Sequence, residues 1–204
     1  MRLTTARLVL PALAVLAAAL CAASLSVMAQ DSSYPERPLT MVVTFTAGGS
    51  SDVLARAAAD AMWAQDTASQ ALGMAITEIG PGRATLTMTV TETMVNGHGL
   101  CHGGYIFTLA DSAFAFACNS HNQRAVAQNC TITYVAPGRL GDRLTAVCRE
   151  VARAGRSGIY DVTVRRQEGG DQEGDQGANN GEVVAEFRGL SRTVKGTLVL
   201  ETGV

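Results

Sequence analysis

The sequence predicts an α+β fold in which an antiparallel sheet wraps around one long central helix. Three observations carry this. Residues 105–120 are apolar on every side of a helix, with Ile106, Phe107, Leu109, Ala110, Ala113, Phe114, Phe116 and Ala117, and a helix hydrophobic all round is a buried one. Alternating segments of strand type follow it. Turn signals separate those segments, among them Pro137-Gly138 and Gly141-Asp142.

The chain has 204 residues and a formal net charge of -2. That length suits one domain with an appendage. The charge balance gives no reason to expect a nucleic-acid partner. Arg2 and Arg7 precede an apolar stretch at residues 8–27, broken by Pro11, and Val27-Met28-Ala29 is a small-residue cleavage site before Gln30. Residues 1–29 therefore read as a signal-peptide-like segment. A membrane anchor is the rival reading, since the stretch is near the minimum length of a span. No stable membrane partner is expected. In residues 30–56, 39–45 is a strand candidate, 47–51 a Gly/Ser turn, and Asp52 a cap for the helix that follows.

Residues 57–73 have a helical pattern closed by Gly73. After the turn Gly80-Pro81-Gly82, residues 84–90 alternate, with Ala84, Leu86, Met88 and Val90 against Thr85, Thr87 and Thr89. Beyond the central helix the strand candidates are 125–135, 144–151, 158–166 and 182–194. The segment 168–181 is polar and glycine-rich and reads as an extended hairpin loop. Its acids lack the bidentate-glutamate spacing of a calcium loop. Of five cysteines, Cys118, Cys130 and Cys148 lie in apolar or alternating runs, where free buried thiols are expected rather than disulfides.

The chemistry concentrates at residues 96–121. Asp111 is the only charge in the central helix. An unpaired buried carboxylate is costly, so Asp111 must be paired, protonated or facing a cavity. No Lys or Arg stands three or four residues away, and Arg143 and Arg156 are the candidate partners from the sheet. Before the helix stands Gly97-His98-Gly99-Leu100-Cys101-His102-Gly103-Gly104. Glycines there allow close approach to the backbone, and the first N–H groups of the helix could polarise a carbonyl. Tight packing of the helix start is the plainer reading of Gly103-Gly104. His98, Cys101 and His102 are ligand types, but they are too close together to close a zinc tetrahedron, so no metal is expected. His121 reads as a cation at the helix C-terminus.

Asn96-Gly97-His98, Cys101-His102-Gly103-Gly104, Leu109-Ala110-Asp111-Ser112-Ala113-Phe114, Ala117-Cys118-Asn119-Ser120, Pro137-Gly138, Gly141-Asp142, Gly155-Arg156, Tyr160-Asp161-Val162 and Phe187-Arg188-Gly189 resemble the PaaI branch of the hotdog-fold acyl-CoA thioesterases, over residues 57–194. The resemblance implies a hotdog domain at residues 57–204 that hydrolyses phenylacetyl-CoA or hydroxyphenylacetyl-CoA. It implies Asp111 as base on water or as nucleophile, the Gly103 N–H as donor to the carbonyl, His102 and Asn96 beside the thioester, and Gly104 and Ser112 as substrate-binding helpers. No cofactor is expected, coenzyme A being part of the substrate. Such enzymes work in the cytoplasm, which the leader contradicts. Tyr34-Pro35, Arg37-Pro38 and Ala47-Gly48-Gly49-Ser50-Ser51-Asp52 resemble instead the start of a periplasmic binding protein of the tripartite tricarboxylate transporter type.

Helix geometry adds one expectation. Asp111 is eight residues beyond Gly103, about 12 Å along one helix, whereas a base and a carbonyl donor must meet at one reacting group. Antiparallel helices from two subunits would bring them together, so a homodimer with shared sites is expected, paired again into a tetramer.

Overall fold

The structure, a computed structural model, describes residues 49–167 and 181–200, which lie in the compact unit Leu39–Val204. The signal-like segment, the strand candidate at 39–45 and nearly all of the loop at 168–181 lie outside the described residues. Among those described, no helix is long and apolar enough to cross a membrane.

Two helices open the unit, α1 (Ser50–Trp63) and α2 (Thr67–Ala71). The single helix expected over 57–73 is thus two. Asp66 interrupts it, because its side chain accepts from Ser69 N at 2.9 Å and starts a new helix. Asp52 is not a cap: Gly49 holds that position without a side-chain bond, and Asp52 sits in the first turn, 3.7 Å from Arg83. Helix α1 runs unbroken across residues 56 and 57, with Ala55 and Ala58 fully buried.

Strands β1 (Ala75–Gly80) and β2 (Arg83–Thr89) form a hairpin. Strand β1 is not among the strands the sequence predicts. Its alternation is broken by a register shift between Ile76 and Glu78, so no clean two-residue period exists to be read. The long helix is α3 (Gly103–Asn119), and β3 (Ala125–Tyr134), β4 (Arg143–Ala154), β5 (Ser157–Gln167) and β6 (Glu182–Thr193) follow. The sheet order is β1-β2-β4-β5-β6-β3, antiparallel throughout. This is the hotdog arrangement, a sheet curled around α3.

The sheet closes on the helix through aromatic contacts. Phe114 lies 5.5 Å from Tyr160 and 5.9 Å from Phe187, ring centre to ring centre. Gly189 on β6 makes this possible, because a Cβ there would stand 2.8 Å from the Phe114 ring. The C-terminal end of α3 is tied down by polar groups. Asn119 Nδ2 donates to Ala125 O at 3.0 Å, and Ala125 N donates back to Asn119 Oδ1 at 2.9 Å. Ser120 Oγ accepts from Gly82 N at 2.8 Å. His121 is not a free terminal cation: its Nε2 meets Glu150 Oε2 at 2.7 Å, and the Tyr160 hydroxyl donates to the same oxygen at 2.8 Å.

Burial pushes the Glu150 carboxyl up, but the bonds from His121 and Tyr160 and the charge of Arg153 outweigh it and hold the group below the usual glutamate range. A carboxylate depressed in this way stabilises the fold above its unfolded pKa and loses that contribution as pH falls through the folded value. Glu150→Gln is expected to lower unfolding free energy at neutral pH by about 1–2 kcal/mol, the scale of one hydrogen-bonded charge. Urea unfolding at a series of pH values should show the gap from wild type closing below the ordinary glutamate range.

Candidate active site

Asp111 lies midway along α3, half-buried. Its carboxylate meets neither Arg143 nor Arg156. The partner is Cys130 on β3, whose Sγ lies 3.7 Å from Oδ1. Burial raises the Asp111 pKa above the usual carboxylate range, and the Cys130 contact partly offsets this. A carboxyl whose pKa is raised is better suited to taking up a proton. The four cysteines of the described residues are free. Cys118 and Cys148 are buried as expected and Cys101 is buried as well, whereas Cys130, expected to be buried, is only half-buried and faces an acid.

The loop before α3 is organised by Asn96. Its Oδ1 accepts from His98 N at 2.9 Å and from Leu100 N at 3.3 Å, and its backbone N donates to Leu100 O at 2.8 Å. This folds residues 96–100 into a tight turn, with Gly99 at a φ of 74° that favours glycine. His102 caps α3: Nδ1 accepts from Gly104 N at 3.0 Å, which fixes the neutral tautomer with the proton on Nε2. The Tyr105 N–H donates to His102 O at 2.9 Å. That leaves the Gly103 N–H as the first-turn donor with no protein acceptor among the described residues.

Gly103 also has a packing reason to be glycine. A Cβ there would stand 2.9 Å from the Tyr134 ring, whose hydroxyl donates to Gly103 O at 2.8 Å. Ser112 is engaged elsewhere, 3.0 Å from Ser69 Oγ on α2. Asn96, His102, Gly103 and Gly104 thus gather at the start of α3, while Asp111 and Ser112 sit about 12 Å along it. Cys130 and Tyr134 escaped the reading of sequence. Their strand is legible in the sequence, but their contacts on α3 are distant in the chain. No group of three potential metal ligands occurs among the described residues.

A model of the thioesterase superfamily matches residues 98–173, a span that takes in His102, Gly103 and Asp111 but not Asn96. Acyl-coenzyme A thioesterase PaaI of Escherichia coli K12 is 42% identical over 143 residues, 70% of this chain and 94% of that protein. The structure of the E. coli PaaI protein from the phenylacetic acid degradation operon matches with a TM-score of 0.66 at 41% identity, over 72% of this chain and 99% of that one. The protein smu.793 from Streptococcus mutans UA159, solved bound to acetyl CoA, matches with a TM-score of 0.53 at 27% identity, over 61% of this chain and 90% of that one. The class is therefore that of the hotdog thioesterases. Within it, the chain belongs to the PaaI-like family, and it is a thioester hydrolase.

The His102 cap can be tested apart from catalysis. His102→Ala should lower stability by about 1 kcal/mol, the usual value of an N-cap. His102→Asn, which can accept the same N–H, should restore most of it in thermal unfolding.

Proposed function

We propose that the chain hydrolyses arylacetyl-CoA thioesters, phenylacetyl-CoA or hydroxyphenylacetyl-CoA, to the free acid and coenzyme A. The observation that carries this is Asp111, a half-buried carboxylate raised above its usual range whose one hydrogen-bond partner among the described residues is a thiol. The names of the E. coli relatives support the acyl class. Water attacks the thioester carbonyl and gives its proton to Asp111. The Gly103 N–H stabilises the developing oxyanion. Collapse breaks the C–S bond, and the coenzyme A thiolate leaves with the proton. His102 and Asn96 line the approach. No cofactor enters, and the reaction belongs to the cytoplasm, where such substrates are made.

Asp111→Asn separates a catalytic acid from a structural one. The folded pKa of Asp111 lies above the unfolded value, so ionising it costs stability as pH rises through that range. The amide carries no such cost. The variant should melt no lower than wild type at neutral pH while kcat falls about two to four orders of magnitude. Retained activity would refute the role.

The site is shared between subunits in this reading. One helix holds its donor and its base about 12 Å apart, and among the described residues β3 is an edge strand with only β6 beside it. It carries Val126 and Tyr134, each about half exposed, and is followed by exposed Val135. Such an edge calls for a partner. Two chains paired there, and again into a tetramer, would set Gly103 of one near Asp111 of the other. A mixed dimer of an Asp111→Ala chain and a Gly103→Pro chain tests this. One site then holds both intact halves, so about half of wild-type activity should return. A mixed dimer as inactive as its parents would exclude the shared site.

A further inference from the structure

We propose that Cys130 is a positioning residue: its thiol donates to Asp111 Oδ1 and anchors the carboxylate, leaving Oδ2 as the oxygen that takes the proton. The inference rests on Asp111 being the base. The contact of 3.7 Å is long, as sulfur donors are. It is nevertheless the one side-chain hydrogen bond to that carboxylate among the described residues. An acid with a single donor has two unlike oxygens, one fixed and one open.

The backbone is arranged to produce this contact. Ala125, Cys130 and Ile132 all pack against the core. In an unbroken strand, residues 125 and 130 would point to opposite faces. Between Ala127 and Asn129 the pairing of β3 with β6 shifts register, and this bulge turns Cys130 back toward α3. Bulges of this kind re-aim side chains beside active sites. The two-way clamp between Asn119 and Ala125 then fixes where β3 starts against the helix.

The thiol stays protonated. Burial, then the charge of Asp111, pushes Cys130 up to about 11, so it is a donor and not a nucleophile. Cys118, two turns along α3, is pushed up to about 12, mainly by burial and next by Asp111. Cys118 in turn adds to the upward push on Cys148 from β4 and Tyr160 from β5, both raised mainly by burial. No other titratable group among the described residues acts on Asp111 itself.

The test uses Cys130→Val and Cys130→Ser in the full chain, with phenylacetyl-CoA as substrate. Val removes the donor and keeps an apolar residue that suits a strand; Ser supplies a donor again. The Asp111 carboxyl is titrated by carbon-13 NMR, and kcat, KM and the pH profile are measured in parallel. In the Val variant Asp111 should titrate at higher pH, and the acid limb of kcat/KM should move up with it. The kcat should fall about three- to tenfold, the scale of one neutral hydrogen bond, with KM unchanged. Ser should return all three toward wild type. An unmoved Asp111 titration in the Val variant overturns the anchoring. A fall in kcat that Ser does not rescue overturns it too, in favour of packing alone. If the titration moves but Asp111→Asn stays active, the anchoring stands and the reading of Asp111 as base falls, taking the catalytic half of the proposal with it.

Discussion

Covering helix α3 is the constraint on which the rest of the structure depends. Its 17 residues carry one charge, and Leu109, Ala110, Ala113 and Ala117 are wholly inaccessible. A flat sheet covers one side of a helix, so six strands must curl to cover more. That curl needs close approach at particular points. Gly189 lets the Phe114 ring lie against β6, and Ala146, Val162 and Val164 of β4 and β5 are fully buried in the same core. Given about 25 cal/mol for each Å² of apolar surface removed from water, this core outweighs the cost of leaving Asp111 with a weak partner.

The two ends of α3 are chemically opposite. At the C-terminal end each polar group has a partner: Asn119 with Ala125, Ser120 with Gly82, and His121 with Glu150 and Tyr160. At the N-terminal end His102 satisfies Gly104, and the Gly103 N–H has no acceptor among the described residues. The fold is fastened at one end and open at the other. That asymmetry agrees with the role proposed for the helix start.

Much of this was legible because the signals were local. The all-round apolar run at 105–120 marked α3, and the Thr alternation at 85–89 marked β2. The glycines at 103 and 104, with the lone Asp111, marked the site. What was hidden depended on distance in the chain or on broken periods. β1 lost its alternation at the shift near Ile76. The Asp66 cap sat inside a segment that otherwise looked helical. Arg143 and Arg156 were reasonable partners for Asp111 by charge. The actual partner, Cys130, follows from the bulge in β3, which no pattern of residue types announces.

Strand β3 connects these features. It runs antiparallel to α3, with Ala125 at the helix end, Cys130 beside Asp111 and Tyr134 beside Gly103. From Cys130 to Tyr134 is four residues of strand, about 13 Å. From Asp111 to Gly103 is eight residues of helix, about 12 Å. The two rises match, so one strand touches the acid and the open end of the helix at once. A glycine at 103 is then required by the Tyr134 ring, which lies where a Cβ would be. A slip of β3 by one residue would undo both contacts together, since side chains on a strand change face with each step. The register of an edge strand thus sets the geometry of the site, and the Asn119 clamp at its start is what holds that register.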